Sequence, residues 1–258
     1  MDFGKSALLI AHPAHELLLY GWMAEAKPTV YCLTTGAAYG KAARIQRTEK
    51  VIEQTQSSLG KIFGRYNDQA LYALLLENKT APLIDLTWEL ADTLVETKVE
   101  TVVGDAAEGE ILVHDVWRAI IDNAVRLASG YYHHTLQNLE FAIETMPSNV
   151  RDSRDMVLSL NNERIVQKEN AIGSYIEIQP EVDRLLDRFG SNLIRQEVVR
   201  SSSSASQWLV RQDKPPRYEK LAQRHVQQGR YQVAMSFNQH VYPLLQALES
   251  ECQIASRP

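Results

Sequence analysis

The sequence predicts an α/β fold: a mostly parallel sheet with helices on both faces and a helical C-terminal layer. Three observations carry this. Residues 7–10 are a short apolar run without polar alternation, the signature of a strand buried on both faces, and 99–103, with Val99, Val102 and Val103, is another β-run. Stretches of helical period separate such runs. Each strand-like run also ends in a polar or small-residue loop, as parallel strands do on the edge where α/β sheets bind ligands.

Taken in order, residues 17–26 read as a helix stopped by Lys27-Pro28, and 29–35 as a second, β-branched strand. Strand, helix, strand is a βαβ unit with a right-handed crossover. It ends in the small-residue loop Gly36-Ala37-Ala38-Tyr39-Gly40. Residues 41–59 read as a polar helix bearing Arg44, Arg47 and Glu49, closed by Gly60 as its C-cap. A short strand and loop over 61–68 precede helical runs at 69–77 and 83–97, where Leu83, Leu86, Leu90 and Leu94 share one face. After the strand at 99–103 and the loop 104–110, residues 111–115 lead into a helix over 116–129, with Trp117, Ile120, Ile121 and Val125 inward. Residues 138–143 supply a further strand. Beyond it, the apolar run 157–160 precedes a helix at 161–174, and 181–189 is another, followed by Gly190. Ser201 to Ser204 form a low-complexity loop, and helices at 217–228 and 233–249 close the chain. No sharp compositional shift cuts it. One domain over 1–258 is expected, with a sheet core in about 1–145 and a mostly helical part in about 146–258.

With 258 residues, 45% of them hydrophobic, the chain can bury a sizeable core. A net charge of −5 argues against a nucleic-acid or anionic-membrane partner. Two cysteines, Cys32 and Cys252, allow at most one bridge and no CxxC site. Cys32 falls inside a strand, which predicts a buried, reduced thiol in a cytoplasmic protein. The first residues lack signal-peptide architecture, and no apolar run approaches the roughly 18 residues needed to span a bilayer. The expected partner is a small-molecule substrate; the oligomeric state stays open.

The chemistry concentrates after the first strand, in Ala11-His12-Pro13-Ala14-His15-Glu16. Pro13 stiffens this turn, so its side chains are aimed reproducibly. Two histidines three residues apart beside a carboxylate form a metal-capable cluster. His114 follows the loop after a later strand. In a parallel sheet His12, His15 and His114 would converge on one rim, and three protein ligands with an open position suit a catalytic zinc. The alternative for His114 is a neighbour of a helix N-terminus, with Asp115 placed to favour the helix dipole. Asp105, Glu108 and Glu110 lie in the adjoining loop; they either reach the same rim or bind loop N–H groups. No G-x-G-x-x-G follows the first strand, which removes support for a nucleotide-binding reading.

On these motifs the chain resembles the PIG-L/LmbE-type zinc-dependent deacetylases, whose first strand is followed by Ala-His-Pro-Asp-Asp-Glu. Members remove acetyl groups from N-acetylated amino sugars in glycolipids, thiol precursors and antibiotics. The strand ending Leu33-Thr34-Thr35-Gly36 is similar to the family's second strand, and Arg47 and Glu49 fall where the family carries an Arg and a Glu. Gly104-Asp105-Ala106-Ala107-Glu108-Gly109 with His114-Asp115 resembles the distal histidine motif of a divergent branch. The resemblance implies a Rossmann-like sheet and a bound Zn2+ or other divalent transition metal. His12 would be the first ligand, His15 would replace the family's aspartate ligand, and His114 would be the third. Glu16 would orient the site, and Arg47 and Asp115 would support it or the substrate.

Two departures bear on activity. The family's general base is the first aspartate of the motif, and Ala14 stands there. The distal motif's assisting His and Asp are replaced by Ile111 and Val113. Asp105, with Glu108 second, is the expected substitute base. The function implied is a metal-dependent amide hydrolase acting on a small N-acylated metabolite or sugar. The alternative is a catalytically altered relative serving as a binding or accessory protein in a biosynthetic pathway.

Overall fold

The computed structural model describes residues 3–37, 42–145, 155–202 and 214–255. Positions 38–41 of the loop after the second strand and Ser203-Ser204 of the serine run lie outside the described residues. The strands are β1 (Ser6–Ile10), β2 (Thr29–Thr34), β3 (Ser58–Tyr66), β4 (Thr101–Asp105), β5 (Gln137–Phe141), β6 (Met156–Ser159) and β7 (Gln196–Ser201). The helices are α1 (Tyr20–Ala26), α2 (Ile45–Gln54), α3 (Asp68–Leu76), α4 (Ala81–Glu96), α5 (Leu112–Gly130), α6 (Asn162–Ser174), α7 (Gln179–Phe189), α8 (Asn192–Arg195), α9 (Arg217–Gln227) and α10 (Tyr242–Ala255).

Two compact units emerge. One comprises residues 1–67, 99–105 and 137–202; the other comprises 68–98, 106–136 and 203–258. The first holds the whole sheet, seven strands in the order β3-β2-β1-β4-β5-β7-β6. β1 to β5 are parallel, while β7 runs antiparallel to both β5 and β6. The α/β, mostly parallel architecture expected from the sequence is therefore present. All five residues of β1 and all five of β4 are buried, which is why neither shows polar alternation. A core cluster joins Leu8, Ile10, Val30, Val103 and Phe141 of the sheet to Trp22, Met23, Ala171, Tyr175 and Ile178 of the helical segments in the same unit.

The second unit is helical over its described residues: α3, α4, α5, α9, a π-helical turn Phe237–Val241 and α10. Leu83, Leu86, Leu90 and Leu94 are buried, as their spacing predicts. No helix of the described residues is long and apolar enough to cross a membrane.

Several element boundaries differ from the sequence reading. The helix expected over 41–59 ends at Gln54, and Gly60 is not its cap: it lies inside β3. There Ile62 is buried and Lys61 exposed, as their chemistry expects, but at the start of the strand the small Gly60 is buried and Leu59 exposed. A Cβ at Gly60 would run into the Tyr31 ring on the neighbouring strand, so close approach rather than helix termination requires the glycine. The part read as mostly helical contains β6 and β7. β7 is disguised because two of its four buried residues, Glu197 and Arg200, are charged; they are paired with Lys168 and Glu140. α5 starts at Leu112 rather than 116, which places His114 and Asp115 in its first turn. The run expected as one helix from 17 opens instead as a 3-10 turn, His15–Leu19.

Candidate metal centre

β1 and β4 are adjacent and parallel, with Leu9 level with Gly104. The chain leaves β1 for β2 on one side and reaches β4 on the other, so the strand order reverses here. Ligand sites of open α/β sheets form at such switch points, beyond the carboxyl ends of the strands. Ala11 and Asp105 stand at those two ends.

Asp105 is completely buried. Its Oδ2 accepts the Ala11 N–H (2.7 Å) and the His15 Nδ1–H (2.8 Å). An ionised carboxylate only accepts, so this contact fixes the His15 tautomer and leaves its Nε2 as the lone-pair nitrogen. Asp105 Oδ1 is buried and has no hydrogen-bond partner among the described residues. Buried carboxylate oxygens are normally satisfied, so a cation or a proton-bearing ligand is the natural complement of this atom.

His12 follows the same design. Its Nδ1 lies 2.8 Å from Thr34 Oγ1 at the end of β2, and that hydroxyl also accepts the Gly36 N–H (3.3 Å). The His12 and His15 rings meet edge to face, centroids 5.4 Å apart. Two neighbouring imidazoles, each anchored through Nδ1 to an oxygen, match the way proteins orient histidines for a metal. Gly36 (φ 70°) admits the tight packing at this edge, since a Cβ there would lie 3.1 Å from the Pro13 ring.

The turn itself is held by Glu16. Ala14 has φ 90°, a conformation costly for a residue with a Cβ, and its N–H donates to Glu16 Oε2 (2.8 Å). Glu16 is fully buried; burial pushes its carboxyl up, and the Tyr175 hydrogen bond is the main opposing influence. The Tyr175 hydroxyl donates to the Glu16 carboxylate and lies 3.0 Å from Thr48 Oγ1 on α2. Burial, and then the Glu16 charge, push the Tyr175 hydroxyl upward in turn. Glu16 thus grips the backbone of the turn rather than an imidazole.

The remaining sequence-predicted residues are placed as follows. Arg47 pairs with Glu177 (3.1 Å) at the surface. Glu108 lies half-buried in the β4–α5 loop. In the helical unit, His114 is buried as the third residue of α5, and Asp115 Oδ1 accepts the Gly109 N–H (3.1 Å), tying the loop to the helix's first turn. Thr34 and Tyr175 are the site residues the sequence reading did not single out. Thr34 carried a signal, a polar residue ending an apolar strand; Tyr175, at the end of an amphipathic helix, carried none.

This frame and its edge define an α/β protein with a polar, histidine-rich switch point. No protein-family model matches the chain, and no curated protein matches it in sequence. Solved structures do share the fold. The zinc-inhibited form of the teicoplanin deacetylase Orf2 aligns with TM-score 0.53 and 16% identity, covering 77% of this chain and 99% of that one. A triple mutant of a deacetylase in the teicoplanin biosynthetic pathway aligns with TM-score 0.51 and 15% identity over 77% of this chain and 97% of the other. The A40926 pseudoaglycone deacetylase Dbv21 aligns with TM-score 0.50 and 14% identity, over 78% and 97%. At such identities the likeness is one of fold.

Proposed function

We propose that the protein is a metal-dependent amide hydrolase that removes an acyl group from a small N-acylated metabolite or sugar. The observation that carries the reading is the His15–Asp105 pair at the carboxyl ends of β1 and β4, with His12 beside it. His12, His15 and His114 hold the ion, zinc or another divalent transition metal, while Thr34 and Asp105 orient two of the imidazoles. His114 comes from the first turn of the helix that follows β4 in the chain. Such an ion, when bound, supplies Lewis acidity and a water acidic enough to be a nucleophile near neutral pH. Asp105 spends Oδ2 on Ala11 and His15 and keeps Oδ1 to accept a proton, the task for which the Ala14 methyl group has no acceptor; Glu108 is the second candidate.

The fold-sharing structures support the reading, since they include deacetylases, one of them in complex with teicoplanin. Two free, buried cysteines fit the cytoplasmic setting that belongs to the same reading. A second reading, a binding or accessory protein without turnover, is favoured by one observation: Ala14, Ile111 and Val113 all lack the polar groups the resemblance would place there.

Elemental analysis of the wild type, His15→Ala and His114→Ala, with an amide-hydrolysis assay on N-acetylated amino sugars, tests the proposal. Roughly one ion per chain in the wild type, lost in both variants, supports it. A chain that takes up no metal under any loading condition overturns it.

A further inference from the structure

We propose that Tyr175 is a positioning residue for the candidate centre, holding Glu16 so that Glu16 fixes the Ala14 backbone and thereby aims His15 at Asp105. The proposal rests on the functional reading above but stands on contacts inside the sheet-bearing unit.

The chain of contacts is continuous. Thr48 on α2 meets the Tyr175 hydroxyl, which donates to the Glu16 carboxylate. Glu16 accepts the N–H of Ala14, and the next residue, His15, donates to Asp105. Ala14 is the weak point, because φ 90° is unfavourable for alanine and persists only where its surroundings over-determine it. Glu16 Oε2 is what over-determines it, and a carboxylate buried this deeply stays in register only if its other oxygen is also satisfied. Tyr175 satisfies it. Two residues on, Glu177 pairs with Arg47, the neighbour of Thr48 on α2, so the segment after α6 is pinned to α2 at two points.

The test is Tyr175→Phe in the full chain, with Thr48→Val as the control that disturbs the same buried network but spares the Tyr175–Glu16 contact. Two quantities are read: the imidazole nitrogen and proton NMR signals of His15 in metal-free protein, and the affinity for Co2+. In Tyr175→Phe the His15 signals shift and cobalt binds about 10- to 100-fold more weakly, the range typical when a residue supporting a metal ligand is lost. Thr48→Val leaves both near wild type. Unchanged His15 signals in Tyr175→Phe overturn the proposal whether or not metal binds. Shifted signals in a chain whose wild type takes up no cobalt uphold the positioning role and sink the metal reading instead. Should Tyr175→Phe not fold, Glu16→Gln is the second variant: it keeps the shape but weakens the link to Tyr175, so a smaller shift in the same direction is expected, and no shift overturns the proposal.

Discussion

His15 and Asp105 lie 90 positions apart in the chain yet share a 2.8 Å hydrogen bond, imidazole Nδ1 to carboxylate Oδ2. The same oxygen accepts the Ala11 N–H, so the end of β4 is locked to the end of β1 through one atom. Asp105 therefore combines an orienting oxygen and an unengaged one. Asp105→Asn keeps the size of the side chain but removes the negative charge and the proton-accepting oxygen. Metal affinity is expected to weaken about 10- to 100-fold, as when a partner that orients a metal ligand is changed, while amide hydrolysis at saturating metal falls by about 10²- to 10⁴-fold, the usual scale of a general base. Elemental analysis at saturating metal beside the hydrolysis assay decides: complete loss of metal would make Asp105 a ligand.

Ala14 offers the converse experiment. Its backbone already occupies the positive-φ region that Asp tolerates better than most residues. Ala14→Asp is expected to fold and to raise amide hydrolysis by about 10-fold or more, because a second proton acceptor then sits on the rigid turn. The comparison is of initial rates on one substrate at equal metal loading. An unchanged rate would show that Asp105 already meets the need for a base.

Legibility followed burial chemistry. β1 and β4 declare themselves because strands covered on both faces have no reason to alternate, and Asp105 at the end of β4 and His12 and His15 just after β1 stand out as polar residues. β7 stays hidden because Glu197 and Arg200 read as surface charges until Lys168 and Glu140, distant in sequence, are seen beside them. Only the start of β3 is hidden, where exposed Leu59 stands next to buried Gly60; its later residues lie in the short strand expected over 61–68. Tyr175 is silent for another reason: a tyrosine closing an amphipathic helix reads as core, and only its hydroxyl contacts with Glu16 and Thr48 give it a role.

Gly60 tests the close approach in β3. Gly60→Ala would push a methyl group into the buried Tyr31 ring, and both strands must shift to relieve it. The expected cost is about 1–3 kcal/mol, as for other overpacked cores, read from the urea midpoint. Gly173, where a Cβ meets nothing within 4 Å, is the control site and should tolerate alanine.

The Lys168–Glu197 pair should be the most damaging single deletion in the sheet-bearing unit. Both side chains are essentially inaccessible, Nζ and Oε1 are 2.9 Å apart, and Glu197 also accepts the Gly21 and Trp22 N–H groups at the start of α1. Lys168→Met leaves a buried carboxylate without its counter-charge, which costs about 3–5 kcal/mol. Adding Glu197→Gln removes that stranded charge and is expected to recover part of the loss. Urea unfolding of the single and double variants measures both steps.

Cys252 predicts a stability change at alkaline pH. Burial pushes its thiol up to about 11, from an ordinary value of 9.0. The folded state thus holds the proton more tightly than the unfolded chain does. The resulting stabilisation is fully present below pH 9 and is lost as pH rises through about 11, because the unfolded thiol ionises freely while the buried one resists. Cys252→Ala lacks the titrating group, so its melting temperature should fall less steeply than the wild type's between pH 9 and 11. The offset between the two proteins at pH 7 reports only the packing change around Asn123, whose side-chain oxygen lies 3.2 Å from the sulfur. Parallel curves across the alkaline range would show that the thiol titrates alike in the folded and unfolded chains.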